Sequence, residues 1–400
     1  MSHFFGNIIS PGFLDILLIS GIIHCFLIVV LLLFAEQKGQ ENRLLSLAIF
    51  LFALHQTWNI LYDLNFNQVY PVLFRIPFSY NLAIGPLLFF YVKGVTNPQL
   101  DWHKKDWIHL IPVTIELFAQ LLIHNFTPVN TQDYKSSIYV FFVAIESMLT
   151  ILSIAFYLQK AIHLVSQHDK WALGNYSYTK GVRLRWLQKL IVRYRLLWFL
   201  MFPYTLMYLL AFGDQLWYNI NNDWFFRVLT FILILLTYGT SLTGILAYRK
   251  IAEVELIPEK LPITVEKHKT KGTELVSAQE LINLEAKLRQ VMQEEQLFLQ
   301  EKLTLQTLSE HSNLSRNVIS YVLNNGVGQN FYQFVNEYRV AEVKRKLEDT
   351  SYANYTLMGI ALESGFGSKA SFNRVFKSHT GTSPKEYLQN LENISSIKYQ

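Results

Sequence analysis

Long apolar runs dominate the first 250 residues of this 400-residue chain. Each run has about 20 residues, the length that an α-helix needs to cross the hydrocarbon core of a bilayer. Seven such runs can be placed, near residues 12–35, 43–62, 76–95, 107–126, 137–158, 196–213 and 224–247. Composition agrees, since 51% of all residues are hydrophobic and only 16% are charged. We therefore predict a seven-helix transmembrane bundle.

The distribution of basic residues gives the expected orientation of these helices. Lys and Arg are concentrated in the first, third and fifth loops between the runs and are scarce in the other three. Loops rich in Lys and Arg stay in the cytoplasm, which places the N-terminus outside and the end of the seventh helix inside. The first run lacks a preceding basic segment and a small-x-small cleavage site, so we expect it to remain as a span.

Residues 357–387 have the pattern of a helix-turn-helix motif. A short helix is predicted over 357–363, Gly365 ends it, and Ser368 is placed to cap a second helix over 369–378. That second helix is amphipathic, and its apolar face holds Phe372, Val375 and Phe376. A Ser-Pro-Lys-Glu run then predicts the start of a third helix.

The same order of elements occurs further upstream. A helix over 305–311 is followed by a turn at Asn313-Leu314 and by a helix that Ser315 is placed to cap. The spacing of apolar residues predicts that the inward face of this helix holds Val318, Ile319, Val322 and Leu323. Residues 328–347 lie between the two motifs.

The paired motifs resemble the C-terminal domain of the AraC/XylS family of bacterial transcription regulators. The positions that carry the resemblance are Ile360, Ala361, Gly365, Phe366, Ser368, Phe372, Arg374, Phe376, Lys377, Gly381, Pro384 and Tyr387. The Arg that often follows the final Tyr in the family is Leu388 here. The resemblance covers residues 278–393 and implies two helices that enter successive major grooves on one face of promoter DNA.

The resemblance also implies which side chains face the DNA. The predicted DNA-binding residues are Arg316, Asn317, Ser320, Tyr321, Lys369, Ala370, Ser371, Arg374 and Lys377. Phosphate contact is expected from Lys377 and from the basic cluster Lys344-Arg345-Lys346, for which a solvated face is the alternative. Basic and acidic residues are almost equal in number after residue 285, so net charge alone does not indicate a nucleic-acid binder.

We expect four segments along the chain, namely a transmembrane domain (1–250), a cytoplasmic linker (251–277), a DNA-binding domain (278–393) and a tail (394–400). The linker is charged, contains two prolines and has no core pattern. Ser277 and Glu280 then predict a capping box. The helix that follows has an apolar stripe, which either packs on the DNA-binding domain or forms a homodimer seam. The stripe consists of Leu281, Leu284, Leu288, Val291 and Met292.

Polar residues inside the apolar runs are candidates for signal sensing, because a polar group within a bilayer is costly. The candidates are Glu146, Glu116, His55 and Asn81. One interpretation is that they line a pocket or form a protonation switch, and the other is that they make ordinary hydrogen bonds between helices. Gly85 and Pro86 are predicted to interrupt the third helix.

No catalytic or cofactor motif stands out in the sequence. There is no HExxH, no phosphate-binding loop, no GxSxG and no CxxC pair. The single cysteine, Cys25, excludes an intrachain disulfide. We therefore predict that the protein is not an enzyme and holds neither a cofactor nor a metal.

Taken with the resemblance, these features predict an all-α, membrane-anchored transcription regulator of the bacterial inner membrane. Its transmembrane domain would respond to a small-molecule, lipid or peptide signal, and its C-terminal domain would bind promoter DNA in the cytoplasm, with a homodimer as a further expectation. The alternative is a membrane transporter or membrane enzyme with an appended regulatory DNA-binding tail. A transporter is expected to have broken helices in matching halves, and only one interruption is predicted here.

Overall fold

A computed structural model of the chain describes residues 12–34, 40–73, 80–97, 104–126, 137–178 and 277–398, with short stretches and single positions between 76 and 239. Over these residues the protein is all-α, as predicted, and no β-strand occurs among them. The chain separates into two compact units. The first comprises Met1–Ser166 and Arg185–Ile263, and the second comprises Gln167–Leu184 and Thr264–Gln400.

The helices of the first unit begin with α1, Phe13–Leu33, and α2, Gln40–Asp63. The short α3, Phe66–Val69, is followed by α4, Asn81–Thr96. A 3-10 helix at Lys104–Leu110 leads into α5, Ile111–Phe126. Helix α6 spans Ser137–Asn175, and its residues from Gln167 onward belong to the second unit.

Four helical segments of the described chain are long and apolar enough to cross a membrane. They are Phe13–Leu33, Gln40–Asp63, Lys104–Ile123 and Ala144–Asn175, and α4 is a shorter apolar helix. These five segments coincide with the first five predicted runs. The sixth and seventh runs, 196–213 and 224–247, lie almost wholly outside the described residues. The count of seven spans therefore stays a prediction.

The apolar helices bury one side and expose the other. Helices α1 and α2 pack through a cluster that includes Leu18, Cys25 and Ala53. On the outward faces, Phe118 is 67% exposed and Leu31 is 62% exposed. Large apolar surfaces of this kind are unfavourable in water and suit a lipid environment.

Helix α4 contradicts the prediction that Gly85 and Pro86 interrupt the third helix. It begins at Asn81 and continues through both residues to Thr96. Pro86 lies in the second turn, where its missing N–H removes a single hydrogen bond close to the helix start. Gly85 is used for packing, because a Cβ there would lie 2.9 Å from the ring of Tyr157 on α6.

The second unit contains the helices of both motifs. After α7, Ala278–Glu294, the first motif consists of α8, Leu305–Ser312, and α9, Arg316–Val322. The linking helix α10 spans Phe331–Glu348. The second motif consists of α11, Leu357–Glu363, and α12, Lys369–Thr380, and is followed by α13, Pro384–Lys398.

Each motif has its own apolar core, and α10 contributes to both. Phe331 and Phe334 of α10 pack with the first motif, whereas Val340 and Val343 pack with the second. The apolar stripe of α7 lies against the first core, where Leu288 and Met292 are fully buried and Leu281, Leu284 and Val291 pack beside them. Packing on the domain is therefore the correct interpretation of the stripe.

The turns and caps of the two motifs explain why the helices begin and end where they do. Asn313 (φ +53°) and Gly365 (φ +88°) adopt left-handed backbone between the helices of each pair. The Ser315 hydroxyl then accepts a hydrogen bond from the Val318 amide at 3.3 Å. Ser368 caps α12 in the same way.

Two further helices start at predicted caps. Ser383 and Glu386 form the reciprocal capping box of α13, with hydrogen bonds of 2.8 and 3.3 Å. Ser277 accepts from the Glu280 amide at 3.2 Å, which is one half of the predicted box at α7. The predicted linker, 251–277, otherwise lies outside the described residues.

Candidate DNA interface and polar cluster

Helix α12 presents a polar face to solvent. Phe372, Val375 and Phe376 are buried in the core of the second motif. The opposite face contains the predicted DNA-binding residues Lys369, Ala370, Ser371, Arg374 and Lys377, all of which are exposed except the half-buried Ser371. The helix therefore has the amphipathic form that a major-groove reading helix needs, and the contacts of these side chains with DNA stay a prediction.

Arg374 is oriented by a residue that the sequence analysis did not single out. Its Nη2 donates a hydrogen bond of 3.0 Å to the Tyr332 hydroxyl on α10. A guanidinium held in one orientation loses less conformational freedom when it binds a base edge. No local pattern could have revealed Tyr332, because the two residues are 42 positions apart.

Helix α9 exposes most of its predicted DNA-binding residues. Asn317 and Tyr321 are exposed, and Arg316 and Ser320 are half-buried. The Ser320 hydroxyl accepts a 3.3 Å hydrogen bond from the Asn324 amide, which leaves its own proton available to an acceptor. Beyond Val322 the helix widens into a π turn at Leu323–Val327.

Val318 lies on this outer face, and its prediction as an inward residue is wrong. Its side chain is 36% exposed, whereas Ile319 and Val322 are buried. A seven-residue helix has only one narrow buried side, so four apolar positions could not all face inward. An exposed methyl-bearing side chain on a reading helix can contact the methyl group of thymine.

The basic cluster on α10 is not a phosphate-binding surface as a whole. Lys346 is buried, donates a 3.0 Å hydrogen bond to the Glu363 carbonyl and lies 3.6 Å from the Glu342 carboxylate. Neither predicted role, phosphate contact or a solvated face, is therefore correct for Lys346, because its position on α10 faces the core of the second motif. Arg345 pairs with Glu342 at 2.7 Å, and this hydrogen bond holds the pKa of Glu342 below its ordinary value.

Three of the four predicted sensing residues come together among the apolar helices of the first unit. Both carboxylate oxygens of Glu116 on α5 accept hydrogen bonds from the start of α4, from the amides of Asn81 (2.8 Å) and Leu82 (3.1 Å). The Asn81 side chain donates to Glu146 on α6 at 3.1 Å. Gln120, which was not predicted, donates to the same oxygen at 3.5 Å. We call Asn81, Glu116, Gln120 and Glu146 the polar cluster.

The polar cluster satisfies groups that would otherwise be costly to bury. The first amides of a helix have no partner within the helix, and a carboxylate at this end is favoured by the helix dipole. His55, the fourth predicted residue, forms its hydrogen bond with Asn59 on its own helix at 3.2 Å.

Comparison with known proteins identifies the kind of domain that the C-terminal helices form. A domain family described as "Helix-turn-helix domain" matches residues 308–390, which run from within α8 to the end of the second motif and into α13. The C-terminal region is an AraC-type helix-turn-helix domain. An uncharacterized HTH-type transcriptional regulator of Staphylococcus aureus strain COL is 36% identical over 111 residues, which is 28% of this chain and 14% of that protein.

Further relatives match a similar length of the chain. The probable transcription factor PqrA of Proteus vulgaris is 28% identical over 97 residues, which is 24% of this chain and 77% of that protein. The HTH-type regulator of Staphylococcus aureus strain MSSA476 matches over 111 residues at 36% identity. The chain spans only 14% of the length of the staphylococcal relatives. No solved structure gives a significant match.

Proposed function

We propose that this protein is a membrane-anchored, sequence-specific DNA-binding transcription regulator. The observation that carries the proposal is that one chain contains an AraC-type domain with an exposed polar face on α12 and a separate unit of long apolar helices. Its partners would be double-stranded promoter DNA and the lipid bilayer. The AraC-type domain would lie in the cytoplasm and the N-terminus outside the inner membrane.

The face of α12 suits direct reading of bases. Arg374 projects beside Tyr332 and can present two donors to the O6 and N7 atoms of a guanine, a contact worth about 1–3 kcal/mol of discrimination. Lys369 lies on the same exposed side and would also face bases, whereas Lys377 suits a phosphate. The exposed Asn317 and Tyr321 on α9 would read a second groove.

The polar cluster is the proposed sensing site of the membrane unit. Its four side chains connect α4, α5 and α6, so a change in their hydrogen bonds alters how three helices are held together. A small-molecule, lipid or peptide signal that competes for Glu116 or Glu146 would loosen the start of α4. His55 remains a separate candidate on α2.

Genome-wide mapping of occupied sites in cells tests the proposal directly. We expect the full chain to occupy a limited set of promoters, and Arg374→Ala to lose occupancy there while membrane levels stay normal. Lys287→Ala is the matched control, because it removes a positive charge from an exposed position of α7. Random occupancy by the unsubstituted protein, or full occupancy by Arg374→Ala, would contradict the proposed reading of DNA.

The alternative is a membrane transporter or membrane enzyme with an appended regulatory DNA-binding tail. Broken helices in matching halves would favour a transporter, and α4 continues through Gly85 and Pro86 without a break. Uptake measurements on the membrane unit would test it independently of any DNA experiment.

A further inference from the structure

A short segment far upstream in the sequence packs into the unit that contains the AraC-type domain. Residues Tyr176–Tyr178 follow directly after α6, and they belong to the second unit together with Thr264–Gln400. Ser177 is 1% exposed and Tyr176 is 9% exposed, so both are buried. We call Tyr176–Tyr178 the docking segment.

The docking segment pairs with the residues immediately before the first motif. The amide of Ser177 donates to the Leu303 carbonyl at 3.1 Å, and the Ser177 hydroxyl donates to the same oxygen at 2.7 Å. Tyr176 forms an antiparallel bridge with Thr304, whose side chain caps α8. The segment is therefore held by backbone and side-chain hydrogen bonds to the residues just before the start of α8.

Ser177 also accepts hydrogen bonds from the buried guanidinium of Arg339 on the linking helix α10. Arg339, which is 2% exposed, donates to the Ser177 carbonyl at 3.2 Å and to the Ser177 hydroxyl at 3.1 Å. Its other hydrogen bonds reach the carbonyls of Phe298 (2.8 Å), Gln300 (2.7 Å) and Glu301 (3.3 Å). Burial lowers the pKa of Arg339 to about 10. A buried cation is tolerated only when its donors are satisfied, so this side chain depends on the docking segment.

Arg339 also touches the second motif. A Cβ on Gly365, in the turn between α11 and α12, would lie 2.9 Å from Arg339 Nε and 2.3 Å from the Phe298 carbonyl oxygen. One side chain therefore contacts the loop before the first motif, the turn of the second motif and the docking segment. Asn336, one turn earlier on α10, adds a 3.4 Å hydrogen bond to the Ser177 carbonyl.

We propose that the docking segment is the point at which the membrane part of the chain controls the AraC-type domain. When Ser177 is docked, Arg339 holds α10 and the turn at Gly365 in one arrangement, which sets the relative placement of α9 and α12. When it leaves, the guanidinium loses two acceptors and this placement relaxes. Because two reading helices must enter two grooves together, DNA binding and docking favour each other. This inference rests on the proposed function.

The segment is well placed to respond to the membrane helices. It begins at the residue after Asn175, where α6 ends, and α6 carries Glu146 of the polar cluster. Aromatic contacts hold its position, since the rings of Trp171 and Tyr176 lie 5.6 Å apart and those of Tyr176 and Tyr178 lie 5.5 Å apart. A signal that shifts α6 would therefore act on Ser177 through a few residues.

Cysteine labelling of the full chain in detergent tests the coupling. In a Cys25→Ser background, Ser177→Cys should react slowly with a maleimide because the position is buried. By linkage, adding a duplex taken from the most strongly occupied genomic site should slow the reaction further, by roughly 5- to 150-fold. A random duplex of equal length should have no such effect. Gly174→Cys is the matched control, because a Cβ there meets no atom within 4 Å.

A second variant measures the same coupling from the DNA side. Ser177→Trp cannot fit the buried position and should weaken binding of the specific duplex by on the order of tenfold, whereas Ser177→Ala, which keeps the backbone bonds, should weaken it less. If Ser177→Cys is labelled at the same rate with and without bound specific duplex, the proposed coupling is wrong. It is also wrong if Ser177→Cys is labelled as fast as Gly174→Cys. If the unsubstituted chain binds no specific duplex, the proposed function itself fails.

Discussion

Replacing Gly365 by alanine should destabilise the AraC-type domain more than replacing any other left-handed glycine in it. Two separate costs arise at this position. The left-handed backbone at φ +88° destabilises an alanine by roughly 1–2 kcal/mol. In addition, its Cβ would lie 2.3 Å from the Phe298 carbonyl oxygen, so that oxygen must move away.

The second cost follows from what the Phe298 carbonyl does. It accepts the 2.8 Å hydrogen bond from Arg339 Nε, and losing a hydrogen bond to a buried charged group costs about 1.5–3 kcal/mol. The two costs together give roughly 2.5–5 kcal/mol. Gly381→Ala is the matched control, because Gly381 has φ +79° but no atom lies within 4 Å of its added Cβ. That variant should lose only about 1–2 kcal/mol.

Urea unfolding of the full chain in detergent, read out by a brief pulse of protease, measures the stability of the domain in both variants. The shift in midpoint multiplied by the slope of the urea dependence gives the change in the free energy of unfolding. Equal losses in Gly365→Ala and Gly381→Ala would refute the steric argument. A loss below about 1 kcal/mol in Gly365→Ala would refute the backbone argument as well.

Three further predictions concern charged groups. Lys346→Met should lower the stability of the domain by about 1–3 kcal/mol, because it leaves the Glu363 carbonyl unpaired. The salt dependence of DNA binding should stay unchanged. A weaker salt dependence in the variant would show that Lys346 contacts a phosphate after all. The lowered pKa of Glu342 stabilises the domain above the ordinary glutamate pKa of roughly 4.3, and this contribution should disappear as the pH falls through the lowered folded value. Acid unfolding that is the same in Glu342→Gln would contradict this expectation. Glu146→Gln should alter the signal response at normal membrane levels, and an unchanged response would leave the polar cluster with a purely structural role.

The sequence allowed the motif helices to be predicted closely because their ends are set by local chemistry. Ser315 and Ser368 cap helices at the predicted residues, and Gly365 adopts the left-handed turn that only glycine enters easily. The apolar stripe of α7 indicated a buried face, although spacing alone did not distinguish a core from a dimer seam. Packing of Leu288 and Met292 in the first core decided between the two.

The predictions that were wrong depended on register or on distant parts of the chain. Lys346 was grouped with its neighbours by charge, but its position on α10 turns it toward the second core. Val318 was assigned inward by spacing on a helix too short to define a wide buried face. The contact of Ser177 with Arg339 joins residues 162 positions apart, for which no sequence pattern exists.

The start of α4 has a consequence for how the protein is made. Its first amides are satisfied by Glu116, a residue that is synthesised after α4 is complete. In the proposed membrane arrangement, those amides would lie in the bilayer without partners until α5 arrives, at a cost of several kcal/mol each. We therefore expect α4 and α5 to enter the bilayer as one helical hairpin, so that a chain halted between them would leave α4 only loosely inserted.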